Sequence, residues 1–206
     1  MQEQFFEIQQ TRRYYQNSLV SKPKILLALH GYGQLAGFFY QKFSFLEERF
    51  GLIIPEGPHR FYLNGSSGRV GASWMTKEWR LQDIEENTNY LLQLVEEIQK
   101  KHTESTIHLL GFSQGGATAA RLYQRNPKLF SQLILWASVF PSDIEKSTFA
   151  NAAQLNFVLG ENDVYFSQDK QIEIKNEYKV LGFNVHSFDG GHDIDQCVLT
   201  DILGKI

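Results

Sequence analysis

The chain holds a single cysteine, Cys197, so no disulfide can close within it, and this usage fits a reducing compartment. Its 20 lysines and arginines against 23 aspartates and glutamates leave a formal charge of −3, with both signs scattered, which argues against nucleic acid as a partner. Long apolar runs are missing too. Ile25 to Leu29 and Leu133 to Ala137 have the length of buried strands, far short of a membrane span. Met1-Gln2-Glu3-Gln4 carries neither the basic nor the apolar region of a secretory leader, so a cytoplasmic location is expected. No H-E-x-x-H pattern, clustered His/Cys set, internal repeat or low-complexity tract occurs, and neither a metal nor an organic cofactor is expected.

What is present alternates. At 206 residues the chain fits one domain, 1–206, with a substantial core. Short apolar or alternating runs at Ile25 to Leu29, Leu52 to Ile54, Ile107 to Leu110, Leu133 to Trp136, Leu155 to Leu159 and Asn184 to Phe188 read as strands, with weaker edge strands at Phe5 to Gln9 and Arg12 to Tyr15. Between them, helical spacing runs from Leu81 to Lys101, with Leu81, Ile84, Leu91, Val95 and Ile98 on one face. Further helices are expected over Gln114 to Arg125, Ser167 to Leu181 and a short stretch from Asp193. Strands alternating with helices imply a mostly parallel sheet covered on both faces. Pro55 to Trp79 shows no sustained period and reads as a long functional loop. Its spacing Gly65-x-x-Gly68-x-x-Gly71 is no phosphate cradle, because it does not join a strand to a helix and no P-loop lysine follows.

The chemistry concentrates at Gly111-Phe112-Ser113-Gln114-Gly115, a G-x-S-x-G run between an apolar strand and an alanine-rich helix. A sharp turn there lifts the Ser113 hydroxyl out of the packing, and small neighbours let backbone approach it. A serine nucleophile needs a base, and the base needs an acid to fix its tautomer. His192 is the candidate base, delivered through Asp189-Gly190-Gly191 past the strand Asn184 to Phe188. His108 and His186 fall within strands, His102 ends a helix, His59 lies in the irregular stretch, and His30 precedes the serine. For the acid, Asp163 leads by its place after the strand Leu155 to Leu159; Asp143 is its rival, with Glu161 and Asp189 behind. Oxyanion donors are expected from the backbone N–H groups of Gln114 and of Tyr32, in the turn His30-Gly31-Tyr32-Gly33.

Leu29-His30-Gly31-Tyr32-Gly33, Gly111-Phe112-Ser113-Gln114-Gly115-Gly116, Gly160-x-x-Asp163 and Gly191-His192, in that order, resemble the phospholipase/carboxylesterase family of small α/β hydrolases, which includes acyl-protein thioesterases. The resemblance implies a three-layer α/β-hydrolase fold without a separate lid domain. It also implies a serine esterase or thioesterase with catalytic Ser113, Asp163 and His192, oxyanion donors Tyr32 and Gln114, and Trp74 in the substrate loop. Gln34 stands where that family carries an aspartate, so protein deacylation does not carry over. Phe38 and Phe39, in the aromatic cluster that follows, are candidates for the acyl pocket; the competing reading is that these aromatics are core. The expected partner is a small ester or thioester with an apolar acyl group. The alternatives are a peptidase or C–C bond hydrolase on the same fold, or a ligand receptor that does not turn over.

Overall fold

Residues 25–29 read Ile-Leu-Leu-Ala-Leu, and a strand that is apolar at every position has no face left for water. In the computed structural model, which describes residues 1–149 and 154–204, all five are buried. The strands are β1 (Tyr14–Gln16), β2 (Lys24–Leu29), β3 (Phe50–Pro55), β4 (His59–Asn64), β5 (Ser67–Ser73), β6 (Thr106–Phe112), β7 (Gln132–Trp136), β8 (Leu155–Gly160) and β9 (Asn184–Phe188). The α-helices are α1 (Ala36–Tyr40), α2 (Arg80–Lys101), α3 (Gln114–Arg125), α4 (Gln168–Val180) and α5 (Gln196–Leu203).

Seven strands form one sheet in the order β1-β3-β2-β6-β7-β8-β9. Only β1 is antiparallel, pairing Tyr14 with Pro55 and Gln16 with Ile53; the rest run parallel. Every residue of β3, β7 and β8 is buried, as sheets covered by helices on both faces require. The chain builds outward from β2 to β3, then returns to add β6 on the other side of β2. The carboxyl ends of β2 and β6 therefore lie side by side at the point where strand order reverses, where open α/β sheets place their ligand crevice.

Helix α2 buries Leu91, Val95 and Ile98 against α3, while Leu81, in its first turn, stays exposed. Ser167 and Asp195 cap α4 and α5 by accepting the N–H of Lys170 and Val198. The C-terminal helix therefore starts at Gln196, since Asp193 to Asp195 lead into the cap. On the same sheet face as α3, Tyr178 of α4 stacks on Phe157 of β8 at 3.8 Å.

Three expectations are corrected. Phe5 to Gln9 forms no strand: the sheet edge pairs only with Tyr14–Gln16, so the strand expected over Arg12 to Tyr15 also shifts toward the C-terminus. Pro55 to Trp79 is not a structureless loop, because β4 and β5 pair as an antiparallel hairpin. Gly65, at φ +62°, opens its turn between Asn64 and Ser67.

A buried carboxylate ties this hairpin to the sheet edge. Glu56 accepts two bonds from Arg13 Nη2 (2.7 and 2.9 Å), one from Arg60 Nε (2.7 Å) and one from the Ala36 N–H that opens α1 (3.2 Å). Burial opposes its ionisation, but the hydrogen bonds from Arg60 and Arg13 outweigh it and hold the carboxyl below its ordinary range. Both guanidinium groups are about half exposed and re-solvate if Glu56 is removed. Glu56→Ala is therefore expected to cost about 2 kcal/mol in urea unfolding, less than the ~3–5 kcal/mol of breaking a wholly buried pair. An unchanged unfolding midpoint would contradict this role.

Candidate active site

Four strand ends converge on one edge of the sheet. Strand β2 leads into His30 to Gly33, β6 into Ser113, β8 into Glu161 to Asp163, and β9 through Asp189 to Gly191 into His192. Ser113 sits between β6 and α3 at φ 54°, ψ −118°, a strained conformation for a residue with a side chain. Its N–H is held by Trp136 O at 2.8 Å, and its carbonyl accepts Gly116 N–H at 2.9 Å. The turn needs close approach on both sides. A Cβ on Gly115 would collide with the carbonyl oxygens of Leu29 and His30, and one on Gly111 would lie 2.6 Å from Ala119 Cβ.

His192 Nδ1 lies 2.7 Å from Asp163 Oδ2, and the carboxylate is fully buried beneath an imidazole whose side chain is 18% exposed. A carboxylate only accepts, so Nδ1 carries the hydrogen and Nε2 is left as the free acceptor. The second oxygen of Asp163 accepts the Tyr165 N–H at 3.0 Å. The His192 ring is flanked by Phe112 (4.8 Å) and Tyr165 (4.5 Å). Among the described residues no hydrogen bond joins Ser113 Oγ to His192 Nε2; what links them is Phe112, which precedes the serine and packs against the imidazole.

Asp143 makes no hydrogen bond with this pair. It takes a two-point contact from Arg121 of α3, at 2.6 and 2.8 Å, and that guanidinium holds its carboxyl below the usual range. The remaining histidines have other partners. His59, in β4 rather than in a loop, faces Asp83 at 2.9 Å; His108 meets Gln132 and His186 meets Asn156, both also at 2.9 Å; His102 ends α2.

His30 is wholly buried. Its Nε2 accepts the Gly57 N–H at 2.9 Å, so Nδ1 carries the hydrogen and donates to Gly31 O at 2.8 Å. Burial pushes its pKa down to about 4. The same cause lowers His108 and His186. As pH falls, the unfolded chain takes up these protons first, so their stabilisation is whole above the ordinary value of 6.5 and, for His30, is lost toward about 4. The His30 gap alone is worth roughly 3 kcal/mol. Urea midpoints are expected to fall steadily from about pH 7 to about pH 4.5, and a flat profile would contradict the assignment of neutral buried histidines.

The turn after β2 leaves one amide free. Gly31 N–H donates to Gln34 Oε1 and Gly33 N–H to Ala72 O, both at 2.8 Å, while the intervening Tyr32 N–H enters no hydrogen bond with another described residue. The Gln114 N–H, at the first position of α3, also has no hydrogen-bond partner among the described residues. Gln34 thus uses its carboxamide to shape the turn, a role the sequence did not disclose.

The three aromatic candidates for substrate contact separate. Trp74 has no exposed surface, and its Nε1–H donates to His30 O at 2.8 Å, so it lies beneath the site and is no wall of it. Phe39 is buried among Phe43, Phe112 and His30 and belongs to the core. Only Phe38 is exposed. Instead, exposed apolar side chains at the strand ends come from Tyr32, whose ring packs at a tilt against Phe61 at 5.0 Å, and from Val139, Val164 and Tyr165. Sequence reading missed Tyr165, whose available signal was an aromatic two positions past the leading acid. Among the described residues no group of three or more His, Cys, Asp or Glu could hold a metal, and no helix is long and apolar enough to cross a membrane.

A family model described as Serine hydrolase (FSH1) matches residues 19–196. Among curated proteins, a probable 1-acylglycerol-3-phosphate O-acyltransferase of Oryza sativa subsp. japonica is 31% identical over 124 residues, 60% of this chain and 27% of its own length. The chain thus spans about a quarter of the length of the curated relatives it matches. Among solved structures, a carboxylesterase from Mesorhizobium loti superposes with a TM-score of 0.71 at 16% identity, covering 89% of each chain. Zea mays acyl-protein thioesterase 2 superposes with a TM-score of 0.68 at 18% identity, covering 93% of this chain and 99% of its own. At these identities the likeness is one of fold, the three-layer α/β hydrolase.

Proposed function

The chain belongs to the serine hydrolase (FSH1) family, and on that footing we propose that it hydrolyses carboxylic esters or thioesters with apolar acyl groups, through an acyl-enzyme on Ser113. The observation that carries this reading is the 2.7 Å contact between His192 Nδ1 and buried Asp163, on the sheet edge where Ser113 stands in a strained turn. His192 Nε2 takes the hydroxyl proton as Ser113 Oγ attacks the acyl carbon. Asp163 holds the tautomer and stabilises the imidazolium. The Tyr32 and Gln114 amides, which have no hydrogen-bond partner among the described residues, receive the oxyanion. As the tetrahedral intermediate collapses, His192 gives its proton to the departing alcohol or thiol. It then activates water against the Ser113 ester, and the acid leaves. The working unit is one domain, residues 1–206, with the exposed Tyr32, Val139, Val164 and Tyr165 supporting an apolar acyl group.

With p-nitrophenyl esters the protein is expected to give a burst of one p-nitrophenol per active site ahead of the steady state, and a higher kcat/KM for butyrate than for acetate. Absence of both turnover and fluorophosphonate labelling would sink the reading. Transfer of the acyl group to an alcohol instead of water is a second reading, favoured by the 31% identity to a protein named an O-acyltransferase. Appearance of a new ester when glycerol competes with water would support it.

A further inference from the structure

Both amides assigned to the oxyanion lack a hydrogen-bond partner among the described residues, yet the turn around Tyr32 and the side chain of Gln114 are tied to one place. Ala72 O accepts the Gly33 N–H at 2.8 Å and Ala72 N–H donates to Gln34 O at 3.2 Å, which fixes the turn around Tyr32. Two residues on, the Trp74 indole N–H donates to His30 O at 2.8 Å, in the same turn. The backbone N–H of Trp74 reaches the other way, to Gln114 Oε1 at 2.9 Å, and Gln114 Nε2 donates to Met75 O at 2.9 Å. Ser73 Oγ lies 3.1 Å from Gln114 Oε1 and 3.0 Å from its Nε2. The segment is itself anchored: Asn87 Nδ2 donates to Trp74 O, and Ser73 Oγ donates to Met75 O at 2.7 Å.

Residues 72–75 thus span the gap between the β2 turn and the start of α3. The two donors belong to different strand–helix connections, which also pack directly where Gly115 meets Leu29 O and His30 O, and neither amide has a hydrogen-bond partner among the described residues. Oxyanion stabilisation needs both N–H groups aimed at one point before the charge develops, and a shift of a fraction of an ångström weakens it. From this arrangement we infer that the end of β5 is a brace that sets the spacing of the oxyanion donors, with Trp74 as its central positioning residue, gripping the Tyr32 turn through its indole and the Ser113–Gln114 turn through its backbone. The inference rests on the oxyanion role proposed above. It gives a completely buried tryptophan a part in the reaction without any contact with substrate.

The test is Trp74→Phe, which keeps an aromatic ring and removes the indole donor. Expected are a fall in kcat of about 10- to 100-fold, KM within about two-fold of wild type, and an equal fall in affinity for an alkylboronic acid, whose tetrahedral adduct occupies the oxyanion position. A merely structural tryptophan would lower the melting temperature and leave kcat and boronate affinity of the folded fraction unchanged, which overturns the brace. If Trp74→Phe does not fold, Gln114→Met carries the same test from the partly exposed side. It removes the carboxamide's hydrogen bonds to Ser73, Trp74 and Met75 at nearly constant length, with the same three results expected. Wild type that resists fluorophosphonate would count against the function itself. Wild type that is labelled, beside variants of full kcat, would count against the brace alone.

Discussion

Ser113→Ala is expected to lower kcat/KM for p-nitrophenyl butyrate by about four orders of magnitude or more while leaving the fold intact. The proposed chemistry requires this because Ser113 carries the acyl group and the nearby alternatives are placed or engaged elsewhere. Cys197 lies in α5, His30 is locked by bonds at both nitrogens, and Ser138 Oγ is buried against Tyr178 OH at 3.3 Å. The substitution removes one hydroxyl and creates no cavity in the core. Alanine still strains at φ 54°, so stability should stay near that of wild type. A variant that keeps more than about a hundredth of wild-type turnover would place the nucleophile elsewhere.

Replacing the two candidate acids by asparagine should give opposite phenotypes. Asp163→Asn removes the carboxylate partner of His192 Nδ1 and lets the imidazole adopt the wrong tautomer, so kcat should fall by about 10³- to 10⁴-fold with stability little changed. Asp143→Asn leaves that contact alone but deprives Arg121, whose side chain is 5% exposed, of its counter-charge. A buried cation without a partner costs about 3 kcal/mol, so this variant should unfold at lower urea while turning over within a few-fold of wild type. Kinetics and urea unfolding on the same two preparations check both statements. The reverse pattern would make Asp143 the acid.

The sheet was legible because parallel strands buried on both faces appear as unbroken apolar runs punctuated by Gly, Pro or Asp; Asn184–Phe188 and Gln114–Arg125 have the bounds expected of them. The hairpin was obscured by its glycines and by the prolines that precede it, Pro55 and Pro58. The signals were still there: His59–Asn64 alternates half-buried and exposed residues, and Asn64-Gly65 is a turn pair. Phe5 to Gln9 misled because strand propensity needs a partner edge, and a sequence does not show whether one is free.

Chain order put Ser113, Asp163 and His192 after β6, β8 and β9, where the structure has them, but it left Asp143 in contention. What engages Asp143 in place of His192 is Arg121, a residue distant in sequence. The aromatics were the hardest to read. Phe38 and Phe39 are adjacent, yet one faces solvent and the other the core, and Trp74 turns inward because its indole N–H finds a buried carbonyl. Side-chain direction at such positions depends on contacts between distant segments, which spacing along the chain does not encode.

Peptide mapping by mass spectrometry after reaction with a fluorophosphonate tests the acyl-enzyme at Ser113 most directly. One phosphonyl group per chain is expected, on Ser113, with loss of esterase activity in step with labelling and no adduct on Ser113→Ala. An adduct on another residue, or an active enzyme that stays unlabelled, would contradict it.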